Sequence, residues 1–162
     1  TTAVNLGISI AREAMQTSLV VDMNLRSPKV DKVLDLQCDY GLSNYLLDGT
    51  DLTELLINPS QDKFVVLPAG RSIEGSTDIL GSPRMQQLVQ ELKHRYPDRY
   101  VIFDCPHLLD MPDSLIFASY VDAVLLVVEA GRTTQEQIQS ALDTLKDNNV
   151  IGIVMNKIPD EA

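Results

Sequence analysis

Two aspartates invite a chemical reading because each closes an apolar run. Leu19-Val20-Val21 ends in Asp22, and Val101-Ile102-Phe103 ends in Asp104. Short continuous apolar runs of this kind read as buried strands. A carboxylate at the end of such a strand can hold Mg²⁺ directly or through water and so reach a phosphate. The plainer role is a helix N-cap, which aspartate also fills well. For one aspartate the two readings are about even. Two in the same sheet, each followed by a distinctive string, favour chemistry. The strings are Met23-Asn24-Leu25-Arg26-Ser27-Pro28 and Cys105-Pro106.

The elements that must position these acids alternate between helix and strand. Val4, Ile8, Ala11 and Met15 share a helical face ahead of the run at 19–22. Phe64 to Leu67 is a second strand, ending in Pro68-Ala69-Gly70. Ser82-Pro83 reads as N-cap and first-turn proline of a helix whose face is Met85, Leu88, Val89 and Leu92. Tyr100 to Asp104 is the third strand and Ala123 to Val128 the fourth. Thr133 and Glu136 fit a capping box for a helix with Ile138, Leu142 and Leu145 on its face. Val150 to Met155 is the fifth strand, ending in Asn156-Lys157. Between Ser27 and Lys63 the pattern is less regular, with a short helix expected over 41–47. Unbroken apolar strands imply burial on both faces, hence an α/β fold: a mostly parallel sheet flanked by helices. One domain over residues 1–162 is expected. Ligands of such sheets bind beyond the carboxyl ends of the strands, where Asp22, Asp104, Glu129 and Asn156-Lys157 fall.

Bulk properties narrow the function. The 162 residues carry 13 Lys and Arg against 23 Asp and Glu, a net charge of −10, which repels nucleic-acid backbones. Small phosphate ligands remain possible, held locally by backbone N–H groups and a metal. Two cysteines in no paired motif and no visible signal peptide point to a reduced, cytoplasmic setting. His94 and His107 lack metal-ligand spacing, so zinc is not expected.

The strings around the two aspartates carry a resemblance. Leu19-Val20-Val21-Asp22-Met23-Asn24-Leu25-Arg26 is similar to the second Walker A-type motif, D-x-D-x-R after three apolar residues, of bacterial tyrosine kinases. Val101-Ile102-Phe103-Asp104-Cys105-Pro106 resembles their Walker B motif. Gly41-Leu42-Ser43, Leu67-Pro68-Ala69-Gly70, Gly81-Ser82-Pro83-Arg84-Met85 and Val154-Met155-Asn156-Lys157 follow in the family's order, so the likeness covers nearly the whole chain. It implies a P-loop NTPase of the Min/Par (SIMIBI) type that phosphorylates tyrosine with ATP and Mg²⁺ in capsule and exopolysaccharide export. It further implies that Asp22 activates or positions the attacking hydroxyl beside Mg²⁺ and that Asp104 orients Mg²⁺ through water. Arg26 then lies near the phosphates or a neighbouring subunit, and Asn156 near the adenine. Thr1 and Thr2, at the start of a helix, offer backbone N–H groups to a phosphate. The partners implied are a tyrosine-bearing protein substrate, in itself or in trans, a membrane-embedded activator and further copies of the chain.

Three departures qualify the likeness. No G-x-x-x-x-G-K-[ST] string occurs, and Thr1-Thr2-Ala3-Val4 resembles the helix that follows that loop. The chain is therefore expected to lack the family's first strand and P-loop and to be inactive alone, since one lost preorganised donor can cost about 10²–10³ in rate. Asn24 replaces the second aspartate of D-x-D, which keeps an oxygen ligand but loses a charge; either metal affinity falls about 10–100-fold or the second acid is dispensable in this subgroup. The sequence runs to Pro159-Asp160-Glu161-Ala162 without the tyrosine-rich tail that the family often carries and phosphorylates in trans. Tyr100 and Tyr120 read as packing residues, whereas Tyr40 and Tyr45 fall in the irregular stretch. Cys105 reads as packing, Lys157 as a solvated edge and Glu129 as a charge where the chain enters a helix. Two other functions share the fold: a Min/Par-type ATPase acting as a spatial organiser, and a non-catalytic partner with a degraded site.

Overall fold

The structure, a computed structural model, describes residues 1–59, 63–95, 97–109 and 111–159. Its contacts fall into two compact units. The first takes in Thr1 and Ala3–Pro106; the second begins at His107 and also counts Thr2.

In the first unit three strands pair in the order β2-β1-β3, all parallel. They are β1 (Thr17–Asp22), β2 (Phe64–Leu67) and β3 (Arg99–Asp104). Burial on both faces, expected of every strand, holds for the central one: Leu19, Val20 and Val21 are fully buried. Val20 joins Val4, Ala11, Val30, Phe64 and Val66 in one apolar cluster, with Ile8, Leu34 and Ile102 packed against it. Val4 and Ala11 bring helix α1 (Thr2–Ala11) into that cluster, and the Ser18 hydroxyl donates to the Gly7 carbonyl at 2.7 Å. Met15, expected on the same face, lies past the end of α1 and is 80% exposed. Helices α2 (Val30–Val33), α3 (Leu42–Asp48), α4 (Leu52–Leu55) and α5 (Ser76–Leu80) occupy the connection on either side of β2.

Helix α6 (Pro83–Arg95) follows the sequence reading closely. Met85, Leu88, Val89 and Leu92 are all buried, and Ser82 Oγ accepts the Met85 N–H at 3.3 Å. Tyr100 departs from it. As the second residue of a strand whose one described partner is β1, it is 55% exposed, not packed.

The second unit holds α7 (Pro112–Ala118), β4 (Val124–Glu129), α8 (Gln135–Thr144) and β5 (Val150–Asn156), with β4 and β5 parallel. Burial on both faces was expected of these strands and is not found among the described residues. Leu125, Val127, Ile151, Ile153 and Met155 are 36–66% exposed, because each strand has a single described partner. The capping box of α8 sits one residue later than expected. Thr134 Oγ1 accepts from the Gln137 N–H and Gln137 Oε1 from the Thr134 N–H, while Thr133 Oγ1 accepts the Glu129 N–H.

Candidate functional site

Parallel pairing brings the two aspartates side by side. Asp22 and Asp104 are register partners at the carboxyl ends of β1 and β3, and the Met23 N–H donates to the Asp104 carbonyl at 3.0 Å. Neighbouring strands run about 4.8 Å apart, so the two acids share one edge of the sheet.

Their surroundings differ. Asp22 is 1% exposed, and backbone N–H groups meet both its oxygens: Asn24 donates to Oδ1, and Lys29 and Val30 to Oδ2, each at 3.0 Å. Asp22 is therefore the cap that its residue type allows, reached across seven or eight residues to the start of α2. A carboxylate oxygen carries two acceptor positions. Oδ2 has both filled by N–H groups, while Oδ1 keeps one beyond its bond to Asn24. Asp104 is half-buried, and its pKa is raised. Burial is the main cause, and the negative charge of Asp22 adds to the rise.

The other expected residues of this unit are turned to local work. Asn24 Oδ1 accepts the Ser27 N–H at 3.1 Å, closing the turn after β1. An Asp at this position would offer the same oxygen, so the amide costs the turn nothing. Arg26 Nε donates to Ser76 Oγ at 3.2 Å and Nη2 to Thr77 Oγ1 at 3.1 Å, at the start of α5. Thr1 is the N-cap position of α1, without a side-chain cap bond, and Thr2 is its first residue.

In the second unit Asn156 is the register partner of Glu129 at the ends of β5 and β4, and its Oδ1 accepts the Lys157 N–H at 2.9 Å. Lys157 donates to Glu129 at 3.0 Å, and this bond holds the Glu129 carboxyl below its usual range. Cys105, expected as a packing residue, is exposed.

One junction escaped the sequence reading, although both of its strings were noticed. Gly41 to Asn44 clasps Pro68 to Gly70 beyond the end of β2. The Leu42 and Ser43 N–H groups donate to the Pro68 and Ala69 carbonyls at 2.8 and 2.9 Å, and buried Asn44 accepts the Gly41 N–H. A Cβ at Gly41 would lie 2.1 Å from the Pro68 oxygen, and Gly70 sits at φ 74 with Ser43 and Asn44 against it. Only glycine fits both places, and two glycines 29 positions apart were the available signal.

Two strand-end carboxylates in register, with nearby helix N-termini, suit a Mg²⁺–phosphate ligand. Mg²⁺ takes one or two carboxylates together with phosphate oxygens and water, not an all-protein cage. No group of three or more His, Cys, Asp or Glu converges among the described residues. The α/β fold itself is shared with proteins of known structure. The MinD protein of Pyrococcus horikoshii, solved with Mg-ADP, superposes with a TM-score of 0.75 at 18% identity, covering 98% of this chain and 65% of that one.

No protein-family model matches the chain. Its sequence relatives nonetheless run its full length. The tyrosine-protein kinase YwqD of Bacillus subtilis is 29% identical over 96% of this chain and 65% of its own length. A tyrosine-protein kinase CpsD of Streptococcus agalactiae is 26% identical over 100% and 71%. The kinase domain of the Escherichia coli tyrosine kinase ETK superposes with a TM-score of 0.89 at 25% identity, over 99% of this chain and 62% of that one. Along its whole length the chain is thus similar to bacterial tyrosine kinases.

Proposed function

We propose that this chain is part of a protein-tyrosine kinase serving capsule or exopolysaccharide production, which moves the terminal phosphoryl group of ATP to tyrosine in its own copies or in a separate protein. The observation that carries the proposal is the register pairing of Asp22 with Asp104. Phosphoryl transfer asks mainly for positioning and charge neutralisation, and two acids at one strand end suit the first and could hold a cation for the second. Asp22 is held by three N–H groups and keeps an acceptor position on Oδ1 for the proton of an attacking hydroxyl. Asp104, half-buried beside a second negative charge, is suited to hold a cation. Mg²⁺, when bound, would supply charge neutralisation at the phosphates; Asp104 would hold it, with Asp22 as its neighbour.

The N–H groups at Thr1 and Thr2 suit a phosphate at the start of α1. Asn24 suits a supporting place beside Asp22, and Asn156 an adenine contact. The site acts on the cytoplasmic side, with a membrane-embedded activator and further copies of the chain as partners. No helix among the described residues is long and apolar enough to cross a membrane.

The test is phosphotyrosine, mapped by mass spectrometry, in the full-length protein incubated with Mg-ATP. Mg-dependent phosphotyrosine that disappears in Asp104→Asn is expected. Absence of both phosphotyrosine and nucleotide binding would sink the proposal. Hydrolysis stimulated by DNA or lipid without phosphotyrosine would point instead to a spatial organiser of the Min/Par kind.

A further inference from the structure

We infer that Arg26 is a positioning residue: its guanidinium fastens the strap 72–77 to the loop 23–30, and that loop orients the Asp22 carboxylate. The effect on rate rests on the kinase reading above; the clamp itself does not.

The argument starts at the carboxylate. All three of its N–H partners, Asn24, Lys29 and Val30, belong to one loop and the first residue of α2. The direction in which Oδ1 points is therefore set by the backbone shape of that loop. Within itself the loop has a few short-range bonds, from the Leu25 N–H to the Met23 carbonyl and from the Ser27 N–H to Asn24. From outside it is sewn to the strap by a row of contacts. The Ile73 N–H donates to the Leu25 carbonyl at 2.8 Å and the Ser72 hydroxyl to the Arg26 carbonyl at 2.9 Å. The Arg26 guanidinium then reaches Ser76 Oγ and Thr77 Oγ1 at 3.2 and 3.1 Å. Ser76 is fully buried, so its hydroxyl depends on partners inside the protein. Met23 and Leu25, each 1% exposed, anchor the same loop in the core between these polar stitches.

Two donors in a fixed fork, meeting two consecutive hydroxyl residues, form a link that an ammonium cannot duplicate. The guanidinium that the family pattern assigns to phosphate or a neighbouring subunit is here directed at the strap, about 50 residues along the chain. A charge on the motif of Asp22 thereby acts through Asp22's support.

The experiment uses Arg26→Ala, Arg26→Lys and Thr77→Val in the full-length protein. Residue-resolved amide exchange reads the N–H groups of Asn24, Lys29 and Val30. Arg26→Ala is expected to speed their exchange about tenfold, the equivalent of one net hydrogen bond. Thr77→Val removes one arm of the fork and gives a smaller change in the same direction. Arg26→Lys stays close to Arg26→Ala. In the kinase assay, kcat for tyrosine phosphorylation falls about 10–100-fold, the range for residues that orient a reacting group, while KM for ATP is unchanged. Unaltered exchange in Arg26→Ala overturns the clamp whatever the protein's activity. Faster exchange with wild-type kcat overturns the positioning role. A raised KM for ATP at constant kcat overturns it in favour of direct phosphate contact. If the wild-type protein makes no phosphotyrosine, the kinase reading fails, and the clamp stands or falls on exchange alone.

Discussion

Replacing Asp22 in two ways separates its work in the fold from its work in the reaction. Asp22→Ala leaves three N–H groups without their acceptor. Val30 N–H is buried, while those of Asn24 and Lys29 are partly open to water. With about 1–3 kcal/mol for each buried donor left unpaired, and less where water reaches it, the loss is about 3–5 kcal/mol. For a chain of this size that lowers Tm by about 6–20 °C, at about 2–4 °C per kcal/mol. Asp22→Asn is gentler. Its one oxygen still accepts the N–H groups of Lys29 and Val30, and its amide nitrogen faces the Asn24 N–H, a single donor-to-donor mismatch of about 1–2 kcal/mol, or about 2–8 °C. Phosphotyrosine formation is expected to fall at least about 10²-fold in both, since neither can accept the proton. Thermal unfolding followed by circular dichroism, beside the phosphotyrosine assay, gives both numbers. Asp22→Ala with wild-type Tm would refute the reading of Asp22 as a cap. Asp22→Asn with wild-type activity would refute its reading as base.

Asp104→Asn is expected to abolish activity and to raise stability at neutral pH in metal-free buffer, because burial and the Asp22 charge both disfavour its ionised form. With a folded pKa above the ordinary 3.8, the folded state holds more protons than the unfolded state between those two values. Wild-type stability therefore falls as pH rises through that window, and urea titrations against pH should show this slope flattened in the variant. Gly41→Ala, whose Cβ meets the Pro68 carbonyl, should cost about 1–3 kcal/mol by urea denaturation. The Cys38 thiol is pushed up by burial first and then by Asp31, Asp39 and Asp22. It should alkylate more slowly than a free cysteine at the same pH, and the difference should narrow as pH rises past its pKa.

Elements whose residues carry a strong local pattern were legible in the sequence. The span of β2 is the span its apolar run marks out, and Ser82-Pro83 with the spacing of Met85, Leu88, Val89 and Leu92 fixes α6 at one end and on one face. Ambiguity began where two patterns overlap. Thr133-x-x-Glu136 and Thr134-x-x-Gln137 both satisfy the capping-box rule. The second wins because Thr133 Oγ1 accepts the Glu129 N–H as the chain leaves β4. What could not be read was pairing between distant segments. The acids were visible, but their register depends on β1 lying beside β3. Likewise Arg26 was visible as a charge in a motif, while Ser76 and Thr77 are fixed only by the path of the chain.

Cap and catalyst, opposed for Asp22 when only the sequence is considered, are compatible in the fold because a carboxylate has two oxygens. Oδ2, with two N–H partners, ties the end of β1 to the start of α2 and is saturated. Oδ1, with one N–H partner, keeps an acceptor position at the strand end where Asp104 is its neighbour. The bonds that make Asp22 structural also make it aimed, since an acid free to rotate would spend its lone pairs on water. By this division an asparagine at position 24 costs the loop nothing, whereas one at 22 is expected to cost stability and activity. At 24 one acceptor oxygen suffices for the Ser27 N–H. At 22 both oxygens must accept, and an amide has only one that can.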